Sequence, residues 1–160
     1  MNRLLQIGLI LFTITSCSSQ YQLKKELDYK DEKFEVGQIW DYETRIGEEN
    51  STIQIVKIDK YENQEAFIHI SVKGLKMKNP SIEGGISKTI GHLAFARKSV
   101  VESITKLVDP KEGLLGYKEG YQSWKEGYQS WKKVFEADKG GVITRSISEA
   151  VKYRETRMNQ

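Results

Sequence analysis

The chain has 160 residues, 38% of them hydrophobic and 29% charged, with only two prolines and a formal charge of +3. Such a composition belongs to a globular chain rather than a disordered or fibrous one, and the net charge is too small to imply nucleic acid. The single cysteine excludes an intramolecular disulfide, so the fold must stand without covalent staples.

Arg3 and the free amine give a positive start, Leu4 to Phe12 form an apolar run broken by Gln6 and Gly8, and small and polar residues lead to Cys17. A membrane span needs about 20 apolar residues to cross roughly 30 Å of hydrocarbon. This run is little more than half that length, so it reads as an export signal. Its end, Ile14-Thr15-Ser16-Cys17, resembles the lipobox of bacterial lipoproteins: aliphatic, small, small, then an obligatory Cys. The resemblance implies cleavage between Ser16 and Cys17, a diacylglycerol on the Cys17 sulfur and usually an acyl group on the new amine. Residues 1–16 are then a signal peptide, and the protein is anchored to a membrane of the bacterial cell envelope, on its periplasmic or cell-surface face. Several acyl chains anchor stably where one binds only marginally. An ordinary secretory signal and an uncleaved anchor are the alternatives.

Residues 17–33 are polar, with little apolar periodicity, and read as a lipidated Cys followed by a tether. Sixteen flexible residues would reach about 20–24 Å. A single domain is expected over residues 34–160. Ile39 to Thr44 is rich in strand formers, Gly47 to Asn50 is a turn, and Thr52 to Tyr61 carries apolar residues on both faces, as a central strand does. Ile53, Ile55 and Lys57 are placed on one face, and Val56 and Ile58 on the other. Asn63-Gln64 turns the chain into a third strand, Ala66 to Val72, and short connections favour an antiparallel meander. Gly74 to Gly91 reads as a long irregular loop, punctuated by Asn79-Pro80 and Gly84-Gly85, with a short edge strand at Ile86 to Ile90.

Helical spacing follows. Val100, Val101, Ile104, Leu107 and Val108 make one stripe ended by Pro110, and a second helix is expected over Leu115 to Ala137. A short extended piece, Val142 to Thr144, precedes a third helix. Ser146 and Glu149 have capping-box spacing there, and Ile147, Ala150 and Val151 form its buried edge. The fold class is therefore α+β: a three- or four-stranded antiparallel sheet followed by two or three helices packed on one face.

Lys118-Glu-Gly-Tyr-Gln-Ser-Trp124 is repeated without change as Lys125 to Trp131. Seven residues turn a helix by about 700°, roughly 20° short of two turns. The copy thus lengthens the helix by about 10.5 Å without changing its faces. Tyr117, Tyr121, Trp124, Tyr128, Trp131 and Phe135 fall on one stripe at heptad spacing. The stripe is read first as core, then as an exposed end that drives self-association, then as a stacking platform for sugars. Val36 to Trp40, Gly91 to Phe95, Gly120 to Glu126 and Gly140-Gly141-Val142 resemble a group of small bacterial proteins of unassigned activity. That likeness implies a domain type and no mechanism.

The search for chemistry is mostly negative. His69, between Ile68 and Ile70, reads as a satisfied or outward-facing sheet residue, and His92 is the better candidate for general acid–base work. No paired-histidine, calcium-loop, phosphate-loop or nucleophile-elbow pattern is present. No metal or cofactor is expected, and no catalytic set is assigned. Charge is uneven: Glu26 to Glu49 holds nine acids and three bases, and Lys73 to Lys106 holds seven bases and two acids. The two stretches are read first as complementary solvated faces, then as a surface for an acidic partner or anionic headgroups. The expected function is a lipid-anchored, non-catalytic protein-binding module, one specific version of which is an immunity-type protein. The alternatives are a glycan binder using Trp124 and Trp131, and a small envelope enzyme using His92.

Overall fold

The computed structural model describes residues 26–109, 113–114, 116–131 and 141–160, with side chains as far as Tyr128 in the third segment. Five strands, β1 (Ile39–Tyr42), β2 (Thr52–Lys60), β3 (Ala66–Lys78), β4 (Ile86–Ala96) and β5 (Ile104–Asp109), form one sheet in the order β4-β3-β2-β1-β5. Every neighbouring pair is antiparallel. Three helices accompany it: α1 (Arg97–Ser103), α2 (Lys118–Trp131) and α3 (Ile147–Met158).

The α+β class holds, and the sheet is one or two strands wider than expected. Two readings account for the difference. Gly74 to Gly91 is not a loop: β3 continues to Lys78, β4 begins at Ile86, and only residues 79–85 turn the chain. Gly74 adopts φ +77° where an added Cβ would lie 2.9 Å from the Asn50 carbonyl, so a glycine that looks like a strand breaker permits close approach instead. The stripe from Val100 to Val108 is not one helix either. Only its first half is helical, and Ile104 to Asp109 leaves as an extended edge strand against β1. β-branched residues at 104, 105 and 108 suit that edge.

The helices divide between the two faces. Ile53, Ile55, Ile68, Ile70, Phe95 and Val100 bury against Ile147 and Val151, so α1 and α3 cover one face. Strand alternation turns Phe67 and His69 to the other face, where Tyr121, Trp124 and Tyr128 of α2 meet them. Ala94 and Ala96 lie directly across from His69 and Phe67, and their small side chains leave room for the α2 aromatics. The third helix begins with the expected reciprocal cap, Ser146 accepting from the Glu149 amide while Glu149 accepts from the Ser146 amide. Val142 to Thr144 does lie extended, with Ile143 bridging the outer edge of β4.

Ordered packing also begins before Phe34. Glu26 bridges Tyr61, the Leu27 amide donates to the Lys60 carbonyl, and Asp31 is 3% exposed beneath Arg97. The stretch preceding Phe34 is therefore bound to the domain from Glu26 onward. Asp31 also accepts from the Lys33 and Phe34 amides. Burial alone would raise its carboxyl, but Arg97 and those amides bring it down to about 2. One ion pair, Asp31–Arg97, thus joins the acidic N-terminal stretch to the basic one.

Candidate functional site

A β-bulge in β2 brings a buried polar cluster together among the described residues. Ile55 pairs with Ile70, but the next partner of His69 is Lys57, so Val56 is the extra residue. Strand alternation is thereby reset. Ile58 joins Ile55 on the α3 face opposite Ile68, and Lys57 and Asp59 project to the α2 face beside His69 and Phe67. Lys57 and Ile58 thus lie on the faces opposite to those expected, because simple alternation takes no account of an inserted residue.

Asp59, with a fully buried side chain, is held by three partners from three elements. The Lys57 ammonium lies 2.8 Å from its Oδ1, Tyr121 Oη donates to its Oδ2 at 2.9 Å, and His69 Nε2 approaches Oδ2 at 3.3 Å. The last contact is an electrostatic approach rather than a well-directed hydrogen bond. Lys57 also reaches Glu26, which pairs in turn with Lys125 of α2. His69 Nδ1 meets His92 Nε2 at 2.9 Å with the rings stacked at 21°. Trp124 packs edge-on to His69 at 4.5 Å, and Gly120 sits against the His92 Cβ.

Charge fixes the proton positions. Burial pushes the Asp59 carboxyl upward, but the close approach of the His69 ring and the Lys57 ammonium overcomes it and sets it at about 2. Burial holds His69 neutral, below the usual imidazole range, although Asp59 pulls the other way. Burial and the neighbouring His69 bring His92 down to about 4. Burial and then Asp59 keep the Tyr121 phenol protonated as a donor. An ionised Asp59 favours the proton on His69 Nε2, so His69 Nδ1 accepts from His92 Nε2–H and the lone pair of His92 lies on Nδ1. The chain Asp59–His69–His92 orients one imidazole through another, and it ties β2, β3 and β4 to α2.

The sequence candidates are placed unequally. Ser16 and Cys17 lie outside the described residues. Trp131 ends α2, but its side chain is outside them too. Trp124 is half-buried between Phe67, His69 and Tyr128, and its Nε1 donates to the Gly141 carbonyl at 3.0 Å. His92 is half-buried with one nitrogen engaged by His69. Among the described residues no three His, Cys, Asp or Glu side chains group as metal ligands. The residues missed from sequence are Lys57, Asp59, His69 and Tyr121. A signal for two of them existed: a hairpin closed at residues 62–65 places Lys57 across from His69 and Asp59 across from Phe67.

No protein-family model, curated protein or solved structure matches the chain. The site is therefore read from its own geometry.

A second feature stands at the opposite end of the sheet. Arg45 pairs with Glu48 and Glu155, which also accept the backbone amides of Lys76 and Lys78. An open cleft of about 370 Å³ lies over this clasp, lined also by Ile46, Lys76 and Lys152. Ile46, on the β1–β2 connection, is fully exposed.

Proposed function

We propose that the protein is a lipid-anchored component of the bacterial cell envelope whose α+β domain is a non-catalytic protein-binding module. The observation that carries the anchor is the lone cysteine at the end of Ile14-Thr15-Ser16-Cys17, behind a charged start and a short apolar run. Several acyl chains on Cys17 would hold the chain at the membrane without a spanning helix. Among the described residues no helix is long and apolar enough to cross a membrane.

The binding role is supported by what the side chains are already committed to. Tyr121, Trp124 and Tyr128 pack inward on Phe67, Tyr61 and His69, which leaves little ring face for stacking a sugar. Tyr128 is buried, so its ring is not open to self-association through the aromatic helix. The imidazole of His92 is half-buried against His69 and Gly120, and the cleft described above lies elsewhere. One observation favours the enzyme alternative: the Asp59–His69–His92 chain leaves a lone pair on His92 Nδ1 that could take a proton.

Substituting Cys17→Ala tests the anchor. The protein should leave the membrane fraction and accumulate in the soluble envelope fraction. Retention in the membrane fraction would end the lipoprotein reading.

A further inference from the structure

We infer that α2 is an acid-released cover: protonation of the histidine pair beneath it frees the helix from the sheet while the opposite face of the domain stays folded. The inference concerns the domain alone and holds whether or not the chain is anchored.

The two faces of the sheet are unequally packed. On the α1–α3 face a continuous core runs from Phe34 and Ile53 through Ile68 and Phe95 to Ile147 and Val151. On the α2 face the buried apolar cluster among the described residues is Tyr61, Phe67 and Tyr128, with Trp124 and Val142 beside it. α2 itself is a weak helix, fourteen residues long with Gly120 and Gly127 inside it. That length is marginal in isolation even without glycine. Side-chain contacts tie it down: Tyr121 to Asp59, Trp124 to the Gly141 carbonyl, Tyr128 to Gln64 and Lys125 to Glu26. An element held in this way can open without the rest of its domain.

The histidines lie in the seam between α2 and the sheet. His69 is fully buried, and Gly120 presses against the His92 Cβ. His92 Nε2 is engaged by His69, and His92 Nδ1 has no hydrogen-bond partner among the described residues. A proton added there meets no uncommitted carboxylate. From β2 come the Lys57 ammonium and Asp59, which Lys57, Tyr121 and His69 already share. The N-terminal strap brings Glu26, which is taken by Lys57 and by Lys125 of α2. From α3, Arg154 adds repulsion. In the closed state, burial and His69 hold His92 at about 4 against an ordinary 6.5. Buried His69 is displaced in the same direction. With α2 lifted, the rings meet water and take protons near their ordinary value. As pH falls through that interval the open form gains protons that the closed form does not, so opening becomes more favourable. Opening turns Tyr61, Phe67 and the inward rings of α2 to solvent.

Amide hydrogen exchange of the full-length protein tests this, with rates corrected for their intrinsic pH dependence. Between about pH 7 and about pH 4.5 the amides of Gln122 to Tyr128 should lose protection at least tenfold. Those of Ile68 and Ile70 on β3 and of Val151 on α3 should keep theirs. The loss should shrink in His92→Gln and persist in Glu26→Gln, which frees Lys125 but leaves the histidines in place. Should His92→Gln not fold, the native protein carries the test alone. Its α2 exchange should rise across the interval between about 6.5 and about 4 rather than only below it. Parallel loss in α2 and β3 would make the acid effect global and overturn the inference. So would α2 protection that ignores pH, a loss confined to pH below about 4, a loss undiminished in His92→Gln, or one abolished in Glu26→Gln.

Discussion

A Cβ added to Gly120 would lie 2.7 Å from the Cβ of His92, whereas one added to Gly127, its counterpart in the second heptad, would meet nothing within 4 Å among the described residues. Two glycines in identical local sequence therefore have opposite roles. Gly120 lets α2 approach β4 closely enough to seal the histidine pair. Gly127 only weakens its helix, where Gly is about 1 kcal/mol worse than Ala. Urea unfolding should show Gly127→Ala more stable by up to about 1 kcal/mol. Gly120→Ala should be less stable by about 1–3 kcal/mol, because overpacking against β4 outweighs the helix gain. Equal shifts of the same sign would contradict the close approach.

The histidine pair predicts acid sensitivity. His92 stands at about 4 against an ordinary 6.5, so between those values the unfolded chain binds more protons than the folded one. Its contribution is complete above about pH 6.5 and is lost as pH falls through about 4. Partial burial and solvent screening leave about 1–2 kcal/mol. Asp59, depressed from 3.8 to about 2, adds a second and more acidic step of the same sign. Urea midpoints measured at about pH 7 and about pH 4.5 should differ in the native protein, and the difference should shrink in His92→Gln, with a remainder from buried His69.

Removing the second heptad separates two parts of the α2 interface. Tyr128 packs on Tyr61 and Phe67 and donates to Gln64, and Lys125 reaches Glu26. Deleting Lys125 to Trp131 should lower stability by only about 1 kcal/mol, because heptad spacing brings Phe135 to the place of Tyr128 and Lys132 to that of Lys125, and the hydrogen bond to Gln64 is what is lost. The acid step should persist, because His69, His92, Tyr121 and Trp124 belong to the first copy and the sheet. Loss of the acid step together with stability would mean that the two copies act as one unit.

Arg97→Ala isolates the N-terminal strap. Asp31 keeps Tyr29 and two backbone amides but loses its cation in a buried position. The expected loss is about 1–3 kcal/mol. Amide exchange of Phe34 and Leu27 should accelerate ahead of the β3 amides. Unchanged protection of both would show that the strap is held by Phe34 packing alone.

Much of the sheet is legible in the sequence because local rules decide it. Ile68, Ile70 and Val72 alternate without interruption, Asn63-Gln64 forms the turn, with Asn63 at φ 57°, and Ser146 and Glu149 announce their cap. The illegible parts depend on distant atoms. Gly74 reads as the start of a loop until the Asn50 carbonyl is known to lie against it. Ile104 to Val108 fits a helical stripe until β1 offers it an edge. His69 reads as an ordinary sheet residue because its partner His92 is twenty-three positions away and its cover, α2, later still. A bulge at Val56 leaves no compositional mark, so the faces of Lys57 and Ile58 were open to inversion.

That bulge also explains which changes of length this chain accepts. The seven-residue repeat in α2 keeps Tyr128 on the face of Tyr121, since two helical turns nearly close on themselves. β2 tolerates a change of length at one place only. Val56 is the residue without a partner in β3, so removing it would straighten the strand and leave every other side chain on its present face. Removing a paired neighbour such as Ile58 would instead exchange the faces on one side of the cut and drive Asp59 among Ile68 and Ile70.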